Sequence, residues 1–267
     1  MKQILRSFVQ KTLAVVNVFP TRMTDRNELR TLLQKLYPVS CNKELIRLGP
    51  KGDGGYLVPN YLQGIEACFS PGVGFESGFE QDCAELGMKV FLVDKSVEQL
   101  TKAHELFHFT PQFIGVTSKD DFMTIDNWVD SSLPDTHSDL LLQIDIEGYE
   151  YEVFLSISDI LMHRFRIIVA EFHQLVQLWN EPFFNLAARA FEKILQTHTC
   201  IHIHPNNFEG SLKIGGFHIP QTLEFTFLRN DRIENPSYRN VCLIPLDNDN
   251  NSDNPPLILP KCWYSGE

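Results

Sequence analysis

Acidic side chains follow several apolar segments of this sequence and are the groups best suited to chemistry. Asp94 and Asp145 each end an apolar run, and Glu171 and His173 stand together at the end of another. Alternate residues of a strand face the same side, so Glu171 and His173 are expected to point together. Ligands of parallel sheets bind outside the carboxyl ends of the strands, where these four side chains are predicted to converge. Carboxylates with an imidazole can act as a general base or hold a divalent cation.

A glycine-containing loop precedes these acids. Gly72 and Gly74 follow the apolar run 67–69, and glycine lets backbone N–H groups approach a ligand because it has no Cβ. Asp94 lies sixteen residues after Gly78, where a carboxylate can accept both hydroxyls of a ribose. Glycines that only form a turn, and an Asp94 that caps a helix starting near Ser96, are the alternatives. Together the loop and the acid predict a nucleoside cofactor.

The spacing of the glycines bears on which nucleoside is bound. An NAD site uses G-x-G-x-x-G, whereas the interval between Gly74 and Gly78 is one residue longer here. Glu76 and Glu80 lie where a helix should begin, and a pyrophosphate needs the positive end of a helix dipole there. S-adenosylmethionine has no phosphate and carries a cationic sulfonium and amino group, so local acids suit it better. An NAD-dependent oxidoreductase and a non-catalytic binding module remain alternatives.

Predicted strands and helices alternate through most of the chain, which indicates a parallel sheet with helices on both faces. The predicted strands are 66–70, 89–94, 112–117, 139–145 and 165–172. The predicted helices are 24–37, 78–87, 96–106, 148–160 and 182–197. Three later strands lack long helices between them and predict an antiparallel edge; they are 199–204, 222–229 and 239–244.

One main domain, 42–246, is expected between an N-terminal helical extension, 1–41, and an acidic, Asn-rich tail, 247–267. Residues 1–20 are predicted to form a short amphipathic helix packed on the domain. The Asp, Asn and Pro content of 247–256 predicts disorder, with 257–263 docking back.

Composition excludes several classes of protein. The 267 residues carry a formal net charge of −11, which disfavours a nucleic-acid partner. No apolar run approaches the ~20 residues of a membrane span, so a cytoplasmic protein is expected. The six cysteines are scattered and indicate neither a disulfide framework nor a zinc module.

Five ordered blocks of sequence, spread over about 45–230, carry a family resemblance. They are DGGY at 53–56, SPGVG at 70–74 with Phe79-Glu80 and Val93-Asp94, QIDIEGYE at 143–150, VAEFH at 169–173, and HIHPNN at 202–207 with LEFT at 223–226. This set resembles the FkbM-type class I methyltransferases, in the branch called methyltransferase domain 22. Gln143 stands where that family usually has Lys, and Ser70 stands where many class I enzymes have an acid. Glu76 or Glu80 is expected to substitute for that acid.

The resemblance implies a Rossmann-like α/β fold and an S-adenosylmethionine-dependent O-methyltransferase that acts on a hydroxyl acceptor, a sugar or glycan. The implied cofactor-binding residues are Asp53, Ser70, Gly72, Gly74, Glu76, Glu80, Asp94, Lys95 and Asp145. The expected catalytic residues are Asp145, Glu171 and His173, which are also the expected ligands of a Mg²⁺ or Mn²⁺ ion. His204 and Asn207 are expected to shape the substrate side of the site.

Overall fold

The computed structural model describes residues 10–74, 76–133, 135–238 and 244–265. Its strands are β1 (Leu45–Leu48), β2 (Tyr56–Pro59), β3 (Ile65–Pro71), β4 (Lys89–Val93), β5 (Phe107–Thr110), β6 (Phe113–Ile114), β7 (Phe122–Met123), β8 (Asp139–Ile144), β9 (Phe165–Phe172), β10 (His198–Pro205), β11 (Ser211–Ile214), β12 (Phe217–Pro220) and β13 (Leu223–Arg229). Its main helices are α1 (Arg26–Lys35), α2 (Gly78–Glu85), α3 (Ile125–Ser132), α4 (Glu150–Ser156), α5 (Asp159–Arg164) and α6 (Glu181–Thr197).

A seven-stranded sheet in the order β10-β13-β9-β8-β3-β4-β5 organises the fold. Neighbouring strands from β9 to β5 are parallel, whereas β13 is antiparallel to both of its neighbours. The predicted Rossmann-like α/β fold is therefore confirmed. The predicted antiparallel edge is also present, because β13 lies between β9 and the edge strand β10 and is antiparallel to both. Residues 239–243 of the third predicted late strand lie outside the described residues.

Alternation along the strands gives the sheet two apolar faces. Leu142 and Ile168 pack with α1, α3, α4 and α6, whereas Leu141 and Ile167 pack with the β1–β2 hairpin and α2. Since both faces are covered, the central strands are apolar at nearly every position. The polar side chains of β3, β8 and β9 consequently lie near the ends of these strands.

The structure corrects two predictions around the first helical crossovers. Residues 96–106 form bends and turns rather than a helix, and the strand of the main sheet that follows them is β5. Of the strand predicted at 112–117, only the two residues of β6 are present, in a separate two-stranded sheet. Val97 is buried, and Leu100 and Leu106 pack against the same apolar cluster. Their helix-like spacing was misleading because an irregular segment buries them equally well. The sequence prediction also missed α3.

The chain on either side of the domain also departs from expectation. Residues 10–14 are helical, but Val15, Val16 and Phe19 are mostly exposed, contrary to the packing predicted for this part of 1–20. Residues 1–9 of the predicted helix lie outside the described residues. The predicted docking of the C-terminal segment is correct, because Leu259 and Trp263 are buried. The disorder predicted for 247–256 is wrong, since this segment forms hydrogen bonds with the domain. Among the described residues, no helix is both long and apolar enough to cross a membrane.

A buried histidine joins the end of α6 to the sheet. His198 Nε2 lies 2.7 Å from Phe165 O, and His198 Nδ1 lies 2.7 Å from Thr197 Oγ1. A neutral ring satisfies both contacts by donating from Nε2 and accepting at Nδ1. Burial lowers the pKa of His198 to about 4, although the hydrogen bond to Phe165 opposes this.

The low pKa of His198 predicts acid sensitivity of the fold. The unfolded histidine gains its proton near pH 6.5 and the folded one only near pH 4, so the free energy of unfolding should fall as the pH drops through this window. His198→Gln should lose less stability than the wild type between pH 7 and 4, by up to ~3 kcal/mol. Urea unfolding of both proteins at stepped pH measures the difference. If the free energy of unfolding changed with pH in the same way for both proteins, the low pKa of folded His198 would be contradicted.

Candidate active site

A cavity of about 470 Å³ opens at the carboxyl ends of β3, β4 and β8. This volume is typical of small-molecule sites. Its walls combine glycines, carboxylates and apolar side chains, namely Gly72, Gly74, Val93, Asp94, Ser96, Gln112, Phe113, Ile114, Phe122, Asp145, Ile146, Glu147 and Tyr149. The predicted glycine loop and the predicted strand-end acids Asp94 and Asp145 therefore face one space.

Gly72 allows the ends of β3 and β8 to meet. Its N–H donates to Val93 O at 3.0 Å, and Asp145 N–H donates to Pro71 O at 3.2 Å. The φ of Gly72 is +88°, and a Cβ at this position would lie 1.6 Å from Asp145 O. Only glycine fits this contact, because a side chain would collide with backbone rather than with a movable group.

Asp94 fixes the loop on the opposite wall of the cavity. Its Oδ2 accepts a hydrogen bond from Gly74 N at 3.2 Å. Its Oδ1 accepts from Ser96 N at 2.7 Å and from Ser96 Oγ at 2.6 Å. The side chain thus closes a turn rather than capping a helix, and it still lines the cavity.

Glu76 occupies the N-terminus of α2. Its Oε1 accepts hydrogen bonds from Ser77 N at 3.0 Å and Gly78 N at 2.8 Å, and the same oxygen lies 3.5 Å from Lys102 Nζ. The carboxylate therefore takes the backbone donors that a phosphate group would use. Glu76 is not among the described residues that line the cavity.

Ser70 and Glu80 are buried behind the cavity wall. Ser70 Oγ lies 2.5 Å from Glu80 Oε1 and 2.7 Å from Gln143 Oε1. Burial raises the pKa of Glu80 to about 7, although the hydrogen bond with Ser70 opposes this. A protonated Glu80 can donate to Ser70 while Ser70 donates to Gln143. Both residues predicted to touch the cofactor thus form a polar support beneath the loop instead.

Two other predicted cofactor residues also lie away from the cavity. Lys95 is exposed and pairs with Asp121 at 3.3 Å. Asp53, on the β1–β2 hairpin, accepts a hydrogen bond from Asn250 Nδ2 at 3.3 Å. Asp53 therefore belongs to the side of the site formed with the C-terminal segment.

His173 stands at the centre of a carboxylate cluster. Its Nε2 lies 3.7 Å from Asp145 Oδ1, 3.6 Å from Glu147 Oε2 and 3.8 Å from Glu171 Oε1. The three oxygens come from the chain after β8 and from the end of β9. The structure therefore brings together Asp145, Glu171 and His173, the residues predicted to be catalytic.

Glu150 and Tyr151 hold His173 in this position from α4. Glu150 Oε1 lies 3.1 Å from His173 Nδ1, and Tyr151 Oη donates to His173 O at 2.6 Å. Glu150 Oε1 also accepts from Ile146 N at 3.1 Å and Gly148 N at 3.0 Å. The same carboxylate therefore fixes the imidazole and the loop after β8.

The electrostatics of the cluster reflect burial of like charges. Burial alone would lower the pKa of His173, but the hydrogen bond and charge of Glu150, followed by Asp145 and Glu171, raise it to about 9. Burial and then the charge of Glu171 raise the pKa of Asp145. Burial and then Glu224 raise the pKa of Glu171 to about 8. Such shifts are typical of functional sites because they place proton exchange near neutral pH.

Strained backbone flanks the cluster on both sides. Glu147 has φ +56° and Gln174 has φ +59°. Gly148 between them has φ +103°, and a Cβ there would lie 2.6 Å from Gln174 Nε2. Non-glycine residues in this conformation cost about 1–3 kcal/mol each and are enriched at active sites. The loops that carry Glu147 and His173 are therefore held in an unfavourable shape.

Three cross-strand neighbours extend the polar surface beyond the cluster. Glu171 pairs in register with Glu224, and Glu224 with His204. Asn206 Nδ2 donates to Glu171 Oε1 at 2.7 Å, and Asn250 Nδ2 donates to Glu224 Oε1 at 2.6 Å. Burial raises the pKa of Glu224 to about 8 despite the bond from Asn250. These side chains form a largely buried polar network, which we call the chamber and define as Asp53, Glu171, Asn206, Glu224 and Asn250.

The two residues predicted to shape the substrate side have different surroundings. His204 is buried and its Nδ1 lies 3.7 Å from Asp247 Oδ1. Asn207 holds the C-terminal segment, because its Nδ2 donates to Asn251 O and its Oδ1 accepts from Asn251 N, both at 2.8 Å. Asn207 therefore acts on the chamber through the segment that it anchors.

A cation could be held at the cluster by a ligand set that differs from the predicted one. Asp145, Glu147 and His173 offer atoms that all lie within 4.8 Å of one another. Glu147 takes the place expected for Glu171, whose Oε1 already accepts the bond from Asn206. Asp145 Oδ1 is buried and has no hydrogen-bond partner, which suits a ligand position.

Sequence reasoning did not identify Glu150, the C-terminal segment or the aromatic wall of the cavity. Glu150 is the last residue of the QIDIEGYE block, five residues after Asp145, and its position near the start of the predicted helix 148–160 could have suggested a partner for His173. Phe113 and Phe122 gave no signal, because they come from two-residue strands whose pairing is not visible in local patterns.

Two glycine variants test the contact between β3 and β8. Gly74→Ala should lower the free energy of unfolding by about 1–2 kcal/mol, since φ is +52° and no atom lies within 4 Å of the new Cβ. Gly72→Ala should lose a further ~1–3 kcal/mol because of the collision with Asp145 O. Urea unfolding measures both. Equal losses in the free energy of unfolding would show that the contact between position 72 and Asp145 O causes no additional destabilisation.

Comparison with known proteins matches residues 70–199 to the methyltransferase FkbM domain. No curated protein matches the chain. One similar solved structure, described as a methyltransferase from an antibiotic biosynthesis pathway of Anabaena variabilis, shares 14% identity at a TM-score of 0.30; the match covers 56% of this chain and 61% of that one. A SAM-dependent methyltransferase from Archaeoglobus fulgidus shares 16% identity at a TM-score of 0.32; the match covers 63% of this chain and 88% of that one. This chain therefore spans less than two thirds of the first structure. The chain therefore carries a methyltransferase FkbM domain at residues 70–199.

Proposed function

We propose that this protein is an S-adenosylmethionine-dependent O-methyltransferase that acts on a hydroxyl of a sugar or glycan. One observation carries the cofactor assignment. The described residues that line the cavity include Asp94, Asp145 and Glu147 but no lysine or arginine. Such a wall favours a ligand that is cationic and has no phosphate, as the sulfonium and amino group of S-adenosylmethionine require.

The N-terminus of α2 argues against NAD, the rival cofactor. A dinucleotide places its pyrophosphate on free backbone donors at this point of the fold. Here Glu76 already accepts from Ser77 N and Gly78 N. A bound pyrophosphate would have to displace a carboxylate and then lie beside it.

The cavity offers a position for each part of the cofactor. Asp94 would accept the ribose hydroxyls, and Phe113, Ile114 and Phe122 would pack against the adenine. Asp145 and Glu147 would face the sulfonium at the other end of the cavity. This arrangement directs the methyl group toward His173, whose Nε2 lies 3.7 Å from Asp145 Oδ1.

Methyl transfer to oxygen requires alignment and removal of the hydroxyl proton. Alignment of the two reactants can contribute about 7–11 kcal/mol to the lowering of the barrier. We assign proton removal to His173 Nε2, because Glu150 holds Nδ1 and leaves Nε2 facing the cluster. The positive sulfonium would lower the pKa of His173 from about 9 toward the working range.

A divalent cation bound by Asp145, Glu147 and His173 is a second way to activate the hydroxyl. Mg²⁺ or Mn²⁺ would lower the pKa of the acceptor hydroxyl as a Lewis acid. The unpartnered Asp145 Oδ1 supports this alternative. In that case a carboxylate of the chamber would take the proton, and Glu171, with a pKa raised to about 8 by burial and Glu224, is suited to the role.

The chamber supports a polyhydroxylated acceptor. Its carboxylates and amides can accept from and donate to sugar hydroxyls, and Glu171 Oε2 is buried without a partner. A non-catalytic binding module would have no need of such unpartnered acids, which destabilise a fold by about 1–3 kcal/mol each or more. We therefore favour an enzyme over a binding module.

Asp94→Ala tests the cofactor position. The variant should bind S-adenosylhomocysteine about 10- to 150-fold more weakly, because hydrogen bonds to a charged group are worth ~1.5–3 kcal/mol. Lys95→Ala is the matched control and should bind normally, since Lys95 pairs with Asp121 outside the cavity. Isothermal titration with S-adenosylhomocysteine, S-adenosylmethionine and NAD measures the three affinities. Binding of NAD alone by the wild-type protein would contradict the assignment of S-adenosylmethionine as the cofactor.

Transfer of radiolabelled methyl from S-adenosylmethionine tests the acceptor class. Label should enter glycans or small hydroxylated molecules from a panel that also contains proteins and RNA. The acidic net charge of −11 should keep RNA unlabelled. Label found only in protein or RNA would refute the acceptor class but leave the methyltransferase assignment standing.

Two conservative variants separate binding from chemistry. Asp145→Asn and His173→Gln should each reduce turnover ~100-fold or more, with smaller changes in S-adenosylhomocysteine affinity. EDTA distinguishes the two activation routes, because the cation route predicts loss of activity and its recovery with Mg²⁺ or Mn²⁺. If both variants turned over a true acceptor at the wild-type rate, neither Asp145 nor His173 would be catalytic.

A further inference from the structure

A second group of potential metal ligands lies outside the carboxylate cluster, at the end of β10. His202 and His204 alternate along the strand, so both face the side of the sheet that carries the β1–β2 hairpin. Asp247 approaches them from the C-terminal segment. The three residues share no member with Asp145, Glu147 and His173.

The ligand atoms of this group have suitable spacing. His202 Nε2 lies 3.0 Å and His204 Nδ1 lies 3.7 Å from Asp247 Oδ1. All three residues offer atoms within 4.8 Å of one another. Tetrahedral ligands at the usual Zn²⁺ distances are about 3.3 Å apart, which falls between the two measured separations.

Burial keeps these three groups away from solvent. The side chains of His202 and Asp247 are only 6% and 8% exposed, and that of His204 is 11% exposed. Buried carboxylates are usually paired or coordinate a metal, and here two imidazoles converge on one carboxylate oxygen. His204 Nδ1 is too far from that oxygen for a direct hydrogen bond, so the separation suits an ion between them.

We propose that His202, His204 and Asp247 bind a Zn²⁺ ion. Two imidazoles and one carboxylate form a nitrogen and oxygen set that zinc accepts, with a fourth position left for water. The proposal does not rest on S-adenosylmethionine binding or on the acceptor. It concerns residues that no step of the proposed methyl transfer uses.

The position of Asp247 gives the ion a structural consequence. Three residues after it, Asn250 donates to Glu224 at 2.6 Å in the chamber. Asn251 is then clamped by Asn207 at 2.8 Å. An ion on Asp247 would fasten the C-terminal segment to β10 and thereby hold Asn250 in the chamber wall.

Zinc binding by the full chain tests the proposal. Wild-type protein stripped with EDTA and titrated with Zn²⁺ should bind one more tight equivalent per chain than Asp247→Asn and than the double variant His202→Gln/His204→Gln. Glu147→Gln, in the other cluster, is the control and should retain that equivalent. Circular dichroism verifies that each variant is folded.

A second readout follows the segment itself. Stripping the wild type of Zn²⁺ should increase hydrogen exchange of backbone amides in 247–255, and Asp247→Asn should show the increased exchange whether or not Zn²⁺ is present. If the double variant fails to fold, the amount of Zn²⁺ bound by Asp247→Asn and the visible absorption of Co²⁺ bound to the wild type serve as the test of the site. The proposal would be overturned if Asp247→Asn bound as much Zn²⁺ as the wild type. It would also be overturned if the wild type bound no Zn²⁺ beyond the equivalent that Glu147→Gln loses.

Discussion

The contact between Gly72 and the backbone of Asp145 determines the geometry of the whole site. It joins the ends of β3 and β8, the two central strands of the sheet, without an intervening side chain. Because the two strand ends meet here, the glycine loop and Asp145 become facing walls of one cavity. Asp94 then fixes the far side of the loop through Gly74. A larger residue at position 72 would separate the two strand ends and change the shape of the cavity.

A second constraint is the concentration of acids around a single imidazole. Three carboxylate oxygens lie 3.6–3.8 Å from His173 Nε2, and two of the acids involved have raised pKa values. The fold tolerates this through Glu150, which binds the imidazole and two backbone N–H groups with one oxygen. The strained turns at Glu147 and Gln174 add to the unfavourable energy. Such a site is stable only because the sheet and its two apolar faces are extensively packed.

The sequence predicted the parts of the site that follow directly from strand ends. Asp94, Asp145, Glu171 and His173 could be placed because each follows an apolar run, and parallel strands align their carboxyl ends. The absence of a helix at 96–106 could not be predicted, since an irregular segment buries Val97 and packs the partly buried Leu100 and Leu106 against the same apolar cluster.

The C-terminal segment escaped prediction for a different reason. Its Asp, Asn and Pro content is typical of disorder, and its order depends on partners far away in sequence. Asn250 is buried because it contacts Glu224 and Asp53, and the latter is 197 residues distant. Insertion of β13 between β9 and β10 creates the row that places Glu224 beside Glu171. No local pattern encodes either relationship.

The topology has a consequence for how the protein is made. The described residues that line the cavity all come from 72–149, so this part can assemble while synthesis is still in progress. The chamber pairs Asp53 with Asn250, which is made 197 residues later. Closing such a long loop is slow compared with local folding. The walls of the cavity can therefore form early in synthesis, whereas the contacts of Asn250 with Asp53 and Glu224 form only after residue 250 has been made.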